Sequence, residues 1–128
     1  MPFILLRPRF LRGAFLLILI AIFVLAMIPL AVVPDVMPSQ DKLHHVAAFA
    51  VLTLLGRGGW AGRGPLLLAG GLLGYGVLIE LCQHAFTTNR VGEWRDVVAD
   101  CAGIAIGWAA FRFHQHRQAR TAFIDSRP

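Results

Sequence analysis

The chain has 128 residues, of which 57% are hydrophobic and 15% charged, and its net charge is +5. Soluble globular domains carry about 25% charged residues, so this composition and a mean hydropathy of +0.66 exclude an ordinary soluble domain and favour a membrane protein. Residues 1–128 leave room for a single domain, and the arginines form no stripe interleaved with aromatic residues, which argues against a nucleic-acid-binding protein.

The first hydrophobic segment follows a basic stretch that ends at Arg12. Residues 13–34 contain no charge, and about 20 apolar residues suffice for a helix to cross the hydrocarbon core of a bilayer. We predict a membrane span over residues 12–34 that ends at Pro34, because proline interrupts a helix. A cleaved signal peptide is the alternative, but its hydrophobic region is usually about 7–15 residues long and ends at a small-residue cleavage site. The segment therefore favours a retained anchor.

Three shorter hydrophobic segments follow, separated by loops rich in glycine, proline and polar residues. We predict further spans over residues 41–57, 65–86 and 94–113. Ser39 or Asp41 is expected to cap the second helix, and Pro65 suits the first turn of the third. The basic, polar tail is expected to fray. The predicted fold is therefore an all-α, integral membrane four-helix bundle.

The charges at the two ends of the predicted spans differ in sign. The end that holds both termini receives nine arginines and one acid, whereas the opposite end receives three basic and six acidic residues. Regions rich in lysine and arginine stay on the cytoplasmic side of a membrane. We therefore predict that both termini are cytoplasmic and that the acid-rich end faces outward.

Two pairs of glycines stand four residues apart, Gly70 with Gly74 and Gly103 with Gly107. Small residues at this spacing allow the backbones of two membrane helices to approach closely. We interpret both pairs as helix-packing surfaces and not as parts of a cofactor site.

Polar residues recur at the acid-rich ends of the second, third and fourth predicted spans. Residues four positions apart share a helix face, which gives three polar stripes: Asp41 with His45, Glu80 with His84, and Asp96 with Asp100. Ionisable groups at membrane depth cost about 2.5–3.5 kcal/mol each on insertion, so the stripes should face one another. The resulting polar cluster is defined as Asp41, Lys42, His45, Glu80, Gln83, Arg90, Glu93, Asp96 and Asp100.

Several members of the polar cluster also have plain structural interpretations. Asp41 can cap a helix, Lys42 can extend to the membrane interface, and the charges of the loop before the fourth span can be solvated. Glu80 is hardest to explain in this way, because the 16 residues before it, 64–79, carry no charge. We therefore favour a functional polar site at Glu80, and we interpret His44 as an interface histidine.

A metal site is an alternative use of the same residues. His45, Glu80, His84 and Asp96 offer imidazole and carboxylate ligands of the kinds that zinc and manganese accept. However, Glu80-x-x-x-His84 does not have the spacing of the zinc-protease motif, and no cysteine pair joins the cluster. We therefore predict no metal and no other cofactor.

Three short motifs at the ends of the predicted spans occur in a characteristic order. They are Asp41-Lys42-x-x-His45 followed by AAFAVLTLL, Glu80-x-x-Gln83, and Arg90-x-x-Glu93-x-x-Asp96-x-x-x-Asp100-x-x-Gly103. Together they resemble the VanZ-like family of bacterial membrane proteins over roughly residues 10–112.

The resemblance implies a four-helix protein of the bacterial inner membrane. The family is named for a protein linked to low-level resistance to teicoplanin, a glycopeptide that acts on cell-wall precursors outside the membrane. Position by position, the resemblance implies functional roles for Asp41, Lys42, His45, Glu80, Gln83, Arg90 and Asp96. The chain departs from the family at Asp100, where asparagine is common, and this departure adds a titratable group to the cluster.

The first functional hypothesis is an enzyme that processes a cell-envelope molecule. Glu80 would act as a general acid or base, His45 as a proton shuttle and Asp96 as an orienting carboxylate. Arg90 and Lys42 would hold an anionic headgroup. The complete set predicted to bind the substrate is Asp41, Lys42, Gln83, Arg90, Glu93 and Asp100.

Two alternatives need no chemistry at the cluster. A binding or accessory protein would use the same charges to hold a lipid-linked or glycopeptide ligand. A proton-coupled carrier would use Glu80, His84 and Asp100 as a relay, although the chain is short for alternating access. The expected partners are the lipid bilayer and such a ligand, nucleic acid is not expected, and the oligomeric state stays open.

Overall fold

The computed structural model describes residues 7–28, 40–87 and 93–125, and this part of the chain contains four α-helices and no β-strand. The helices are α1 (Pro8–Met27), α2 (Gln40–Gly59), α3 (Pro65–Phe86) and α4 (Trp94–Asp125). The all-α prediction is confirmed for these residues.

α1 begins earlier and ends earlier than predicted. Pro8 occupies the first turn, where its missing amide hydrogen costs nothing and its fixed φ suits a helix. Arg12 therefore lies inside the helix, and its Nε donates a hydrogen bond of 2.7 Å to the carbonyl of Gly59 in α2. The helix ends at Met27, and the predicted end at Pro34 lies outside the described residues.

The bounds of α2 and α3 agree closely with the predictions. α2 extends one residue before and two residues beyond the predicted range, so Asp41 lies in its first turn and does not cap it. The carboxylate still suits that position, because the N-terminus of a helix carries a partial positive charge. α3 has the predicted bounds and begins with Pro65.

α4 continues to Asp125, twelve residues past the predicted end at residue 113, so the prediction of a frayed tail is wrong. The tail contains alanine, glutamine and arginine, which favour helices, and no glycine or proline before residue 125. Side chains one turn apart also interact: Gln118 forms a hydrogen bond of 3.1 Å with His114, and Arg117 lies over Phe113. These helix propensities and local side-chain contacts stabilise the part of α4 that extends beyond the bundle.

The extension of α4 gives a testable expectation. Phe111 is the last buried residue among the described residues of α4, so Ala119→Pro should remove the following helicity and leave the unfolding midpoint of the bundle unchanged. Circular dichroism and detergent-based unfolding measure the two effects, with Ala119→Ser as the control. A midpoint that falls with the helicity would contradict this account.

Among the described residues, three helices are long and apolar enough to cross a membrane, namely Pro8–Met27, Pro65–Phe86 and Trp94–Ile124. Their exposed leucine, isoleucine and valine side chains suit contact with lipid. α2 is not one of the three, and it carries Asp41, Lys42 and Arg57 near its ends.

α2 lies at the centre of the bundle and contacts the other three helices. The main hydrophobic core consists of Leu11, Phe15, Phe49, Leu52, Leu55 and Leu72. Because a central helix faces protein on several sides, it can carry polar residues that a lipid-facing helix could not.

The two glycine pairs behave differently. A Cβ atom at Gly103 would lie 2.5 Å from the carbonyl oxygen of Val46, and one at Gly107 would lie equally close to that of Ala50. The prediction of close backbone approach is therefore confirmed for this pair, which sets the crossing of α2 and α4. A Cβ atom at Gly70 or Gly74 would meet nothing within 4 Å among the described residues, so the same prediction is wrong for α3 within the chain.

Candidate functional site

The deepest contact of the polar cluster joins α2 to α4. Nδ1 of His45 donates a hydrogen bond of 2.8 Å to Oδ1 of Asp100, and Asp100 is fully buried. The other carboxylate oxygen, Oδ2, approaches Gly76 of α3 so closely that a side chain there would clash with it. Three helices thus meet around Asp100, although the α3 residue at this contact is Gly76 and not a member of the predicted polar stripe.

In the described part of the chain, the lysine side chain of Lys42 lies between acidic side chains of the polar cluster. Its Nζ lies 3.4 Å from Oε2 of Glu93 and 3.7 Å from Oδ1 of Asp96. Asp96 is only 4% exposed, whereas Glu93 is exposed. Lys42 is therefore committed to neighbouring carboxylates, so it could hold an anionic headgroup only by giving up these contacts.

Glu80 connects α3 to the start of α4. Its side chain is 8% exposed, and its Oε2 accepts a hydrogen bond of 2.8 Å from the backbone amide of Glu93. The position of Glu80 inside the cluster agrees with the sequence analysis. The role of Glu93 as a backbone donor could not be predicted, because it depends on the path of the preceding loop.

Among the described residues, three buried carboxylates have one oxygen without a hydrogen-bond partner. These atoms are Oε1 of Glu80, Oδ1 of Asp96 and Oδ2 of Asp100. Buried polar atoms are normally paired, since burial without a partner costs about 1–3 kcal/mol or more. The cluster therefore has spare capacity to accept protons, cations or the donor groups of a ligand.

Gln83, which is predicted to bind substrate, also makes a structural contact with α1. Its Nε2 donates a hydrogen bond of 3.1 Å to the carbonyl of Ala26 near the end of α1, and its side chain is buried. Tyr75 makes a similar contact with the carbonyl of Leu19. Sequence reasoning missed both contacts, because it assigned no polar function to α1 and could not see that its backbone accepts hydrogen bonds.

Several predicted residues lie apart from the buried cluster or outside the described residues. His84 and His44 are exposed, so His84 does not share the buried face of α3 that holds Glu80, and the proposed stripe is wrong at that position. Arg95 is exposed and lies over the ring of Trp94 at 5.9 Å. Arg90 lies outside the described residues.

An amphipathic groove of about 390 Å³ runs beside the cluster between α1, α2 and α3. Its polar rim is formed by Asp41, His44 and His45. Its apolar walls are formed by Ile22, Leu25, Ala26, Ala47, Ala48, Phe49 and Ile79. The groove could be located only from the tertiary structure, because its walls come from three separate helices.

A second cavity, of about 410 Å³, lies at the opposite end of α2. Arg57, Trp60 and Arg63 line it together with leucines of α1 and α3. The two ends of the bundle therefore differ in sign, with arginines at one end and carboxylates at the other.

One group of side chains has a geometry that could hold a metal ion. Asp41, His45 and Asp96 each place one ligand atom within 4.8 Å of the others. The set differs from the one considered in the sequence analysis: Asp41 joins it, and the exposed His84 does not.

The comparisons of this chain with protein families, curated proteins and solved structures find no match. The resemblance to the VanZ-like family therefore stays a prediction that depends on the motifs themselves.

Proposed function

We propose that the chain is a VanZ-like protein of the bacterial inner membrane that binds or processes a cell-envelope molecule at its polar cluster. In this proposal all four helices cross the membrane, both termini are cytoplasmic and the cluster faces outward. The bound molecule has a polar head and a hydrocarbon tail. Binding of this molecule is the proposed basis of a role in glycopeptide resistance.

The distribution of charge supports the proposed orientation. Arg12, Arg57 and Arg63 lie at one end of α2, whereas Asp41 and Lys42 lie at the other. Basic residues favour the cytoplasmic side, which leaves the carboxylates on the outer side.

The observation that carries the proposal is the amphipathic groove beside buried, incompletely paired carboxylates. A hydrocarbon chain fits walls such as Leu25, Phe49 and Ile79, because the free energy falls when apolar surface leaves water or polar headgroups. A polar head at the rim meets Asp41 and His45. A ligand of this kind satisfies both surfaces at once.

The contacts favour binding over the other two hypotheses. Gln83 and Lys42 already have partners within the protein, so the framework around the cluster is built for rigidity. An enzyme is supported by Glu80 alone, whose buried Oε1 has no partner among the described residues and could exchange a proton. The carrier lacks support, because His84 of its proposed relay is exposed.

We expect Ala47→Trp to prevent lipid binding. Ala47 is exposed and lines the groove, so a tryptophan there should occupy the groove without displacing the core. The purified protein is incubated with a total lipid extract of a bacterial membrane, and bound lipid is detected by native mass spectrometry. Wild type should retain a lipid adduct that Ala47→Trp reduces at least tenfold. Teicoplanin resistance of cells that express the chain should fall with the same variant.

Ala110→Trp is the matched control, since Ala110 is exposed on α4 and does not line the groove. An adduct that survives Ala47→Trp, or that Ala110→Trp removes equally, would count against the groove. Glu80→Gln separates binding from chemistry, because it keeps the shape of the side chain and removes its titratable proton. A binding protein keeps the adduct with this variant, and an enzyme keeps the adduct but loses turnover.

A further inference from the structure

We propose that Asp41, His45 and Asp96 form a binding site for one divalent metal ion of the manganese or zinc class. Metal binding itself does not depend on the proposed function, and it can be measured without any lipid.

The helix geometry brings the three side chains together. Asp41 and His45 are four residues apart and share one face of α2, while Asp96 lies in the first turn of α4, the helix packed closely on α2. One ligand atom from each lies within 4.8 Å of the others. Ligands of one ion at bond lengths of about 2.0–2.2 Å are at most about 4.4 Å apart. The three ligand atoms are therefore near the spacing that a single ion requires.

Asp96 supplies independent evidence that a cation is needed. Its side chain is almost completely buried, and in the described part of the chain its Oδ1 has no hydrogen-bond partner. Nζ of Lys42 lies 3.7 Å from that oxygen, which is beyond hydrogen-bonding distance. Lys42 is therefore a distant counter-ion of Asp96. Because a buried charge is costly unless it is closely paired, a metal ion at this oxygen would give it a closer partner than the described residues provide.

Asp100 prepares His45 for metal binding. Nδ1 of His45 donates to the buried carboxylate of Asp100, which leaves Nε2 with a free lone pair. Histidines that bind metals usually donate their other ring hydrogen to a carboxylate or carbonyl, and this contact sets both the tautomer and the ring orientation. Asp100 is therefore a positioning residue in this proposal and not a ligand.

The donor set selects the class of ion. Carboxylates alone suit magnesium and calcium, whereas an imidazole favours zinc and other transition metals, and manganese accepts both kinds of ligand. Three protein ligands leave at least one coordination position open. An ion there would also allow the acid-rich cluster to accept a phosphate headgroup, a consequence that rests on the proposed function.

The test measures metal binding to the purified, chelator-treated protein by calorimetry with MnCl2, ZnCl2 and MgCl2, and by elemental analysis after dialysis. Wild type should bind one manganese or zinc ion per chain and bind magnesium more weakly. Asp41→Asn should weaken the metal affinity at least tenfold. Because Asp41 is partly exposed, this variant should fold, which makes it the safer of the two tests. Asp96→Asn should have the same effect, and circular dichroism verifies that each variant is folded.

His84→Ala is the matched control, because His84 is an exposed histidine near the same end of the bundle, and it should leave the affinity unchanged. A wild-type protein that binds neither ion, or a folded Asp41→Asn variant with wild-type affinity, would overturn the proposal. Loss of binding with His84→Ala would place the ion elsewhere and overturn it as well. A protein that binds lipid but no metal refutes the metal site alone, and one that binds metal but no lipid refutes the proposed function alone.

Discussion

Replacement of His45 by alanine should destabilise the protein by about 3–5 kcal/mol, because it removes the only hydrogen-bond partner that the described residues provide for the Asp100 side chain. The carboxylate would stay fully buried with neither oxygen paired. The free energy of unfolding can be measured in detergent micelles by titration with a denaturing detergent, followed by circular dichroism. This is one of the two largest effects we expect.

The double variant His45→Ala/Asp100→Ala should recover much of the lost stability, because it removes the unpaired charge together with its partner. His44→Ala is the control for the loss of a histidine at an adjacent, exposed position, and it should change the stability by less than about 0.5 kcal/mol. Equal losses for His44→Ala and His45→Ala, or no recovery in the double variant, would show that the pair does not carry this energy.

Gly103→Ala should destabilise the bundle by about 1–3 kcal/mol, and the double variant with Gly107→Ala by more. The added methyl group at Gly103 would lie 2.5 Å from a carbonyl oxygen and 2.9 Å from Cβ of Phe49. The first is a backbone atom and the second belongs to the fully buried Phe49, so neither can move aside cheaply. The measurement is again the free energy of unfolding in micelles.

The chain provides a matched control for this effect on α3. Gly70→Ala and Gly74→Ala add the same methyl group where nothing lies within 4 Å in the described part of the chain. Alanine favours a helix over glycine by about 1 kcal/mol, so these variants should be neutral or stabilising. A loss of stability for Gly70→Ala as large as for Gly103→Ala would remove the distinction between the two glycine pairs.

The two structural predictions and the proposed site are linked through α2. The glycines hold α2 against α4 at a short distance, and this short distance allows His45 to reach Asp100 and Lys42 to approach Asp96. Spreading these two helices should therefore weaken the candidate metal site before it unfolds the protein. The metal affinity of Gly103→Ala would show this coupling.

Much of the fold could be predicted from the amino-acid sequence, because the signals for individual helices are local. A charge-free apolar segment, a proline at the start of a helix and glycine-rich loops predicted four helices, and the bounds of α3 were predicted without error. The four-residue spacing of Asp41 with His45 and of Asp96 with Asp100 placed each pair on one helix face. The error at the end of α4 arose because helix propensity persists in a polar segment that does not pack on the core.

The pairing of these polar residues could not be predicted from the sequence and became visible in the packed bundle. From the sequence, His84 was considered as a metal ligand and Asp41 was not. In the structure His84 is exposed, and Asp41 has a ligand atom within 4.8 Å of those of His45 and Asp96. Gln83 and Gly103 acquired their roles from backbone atoms of other helices. The physical reason is that helix periodicity sets the direction of a side chain on its own helix, whereas contacts between helices depend on their crossing angles, rotations and separations.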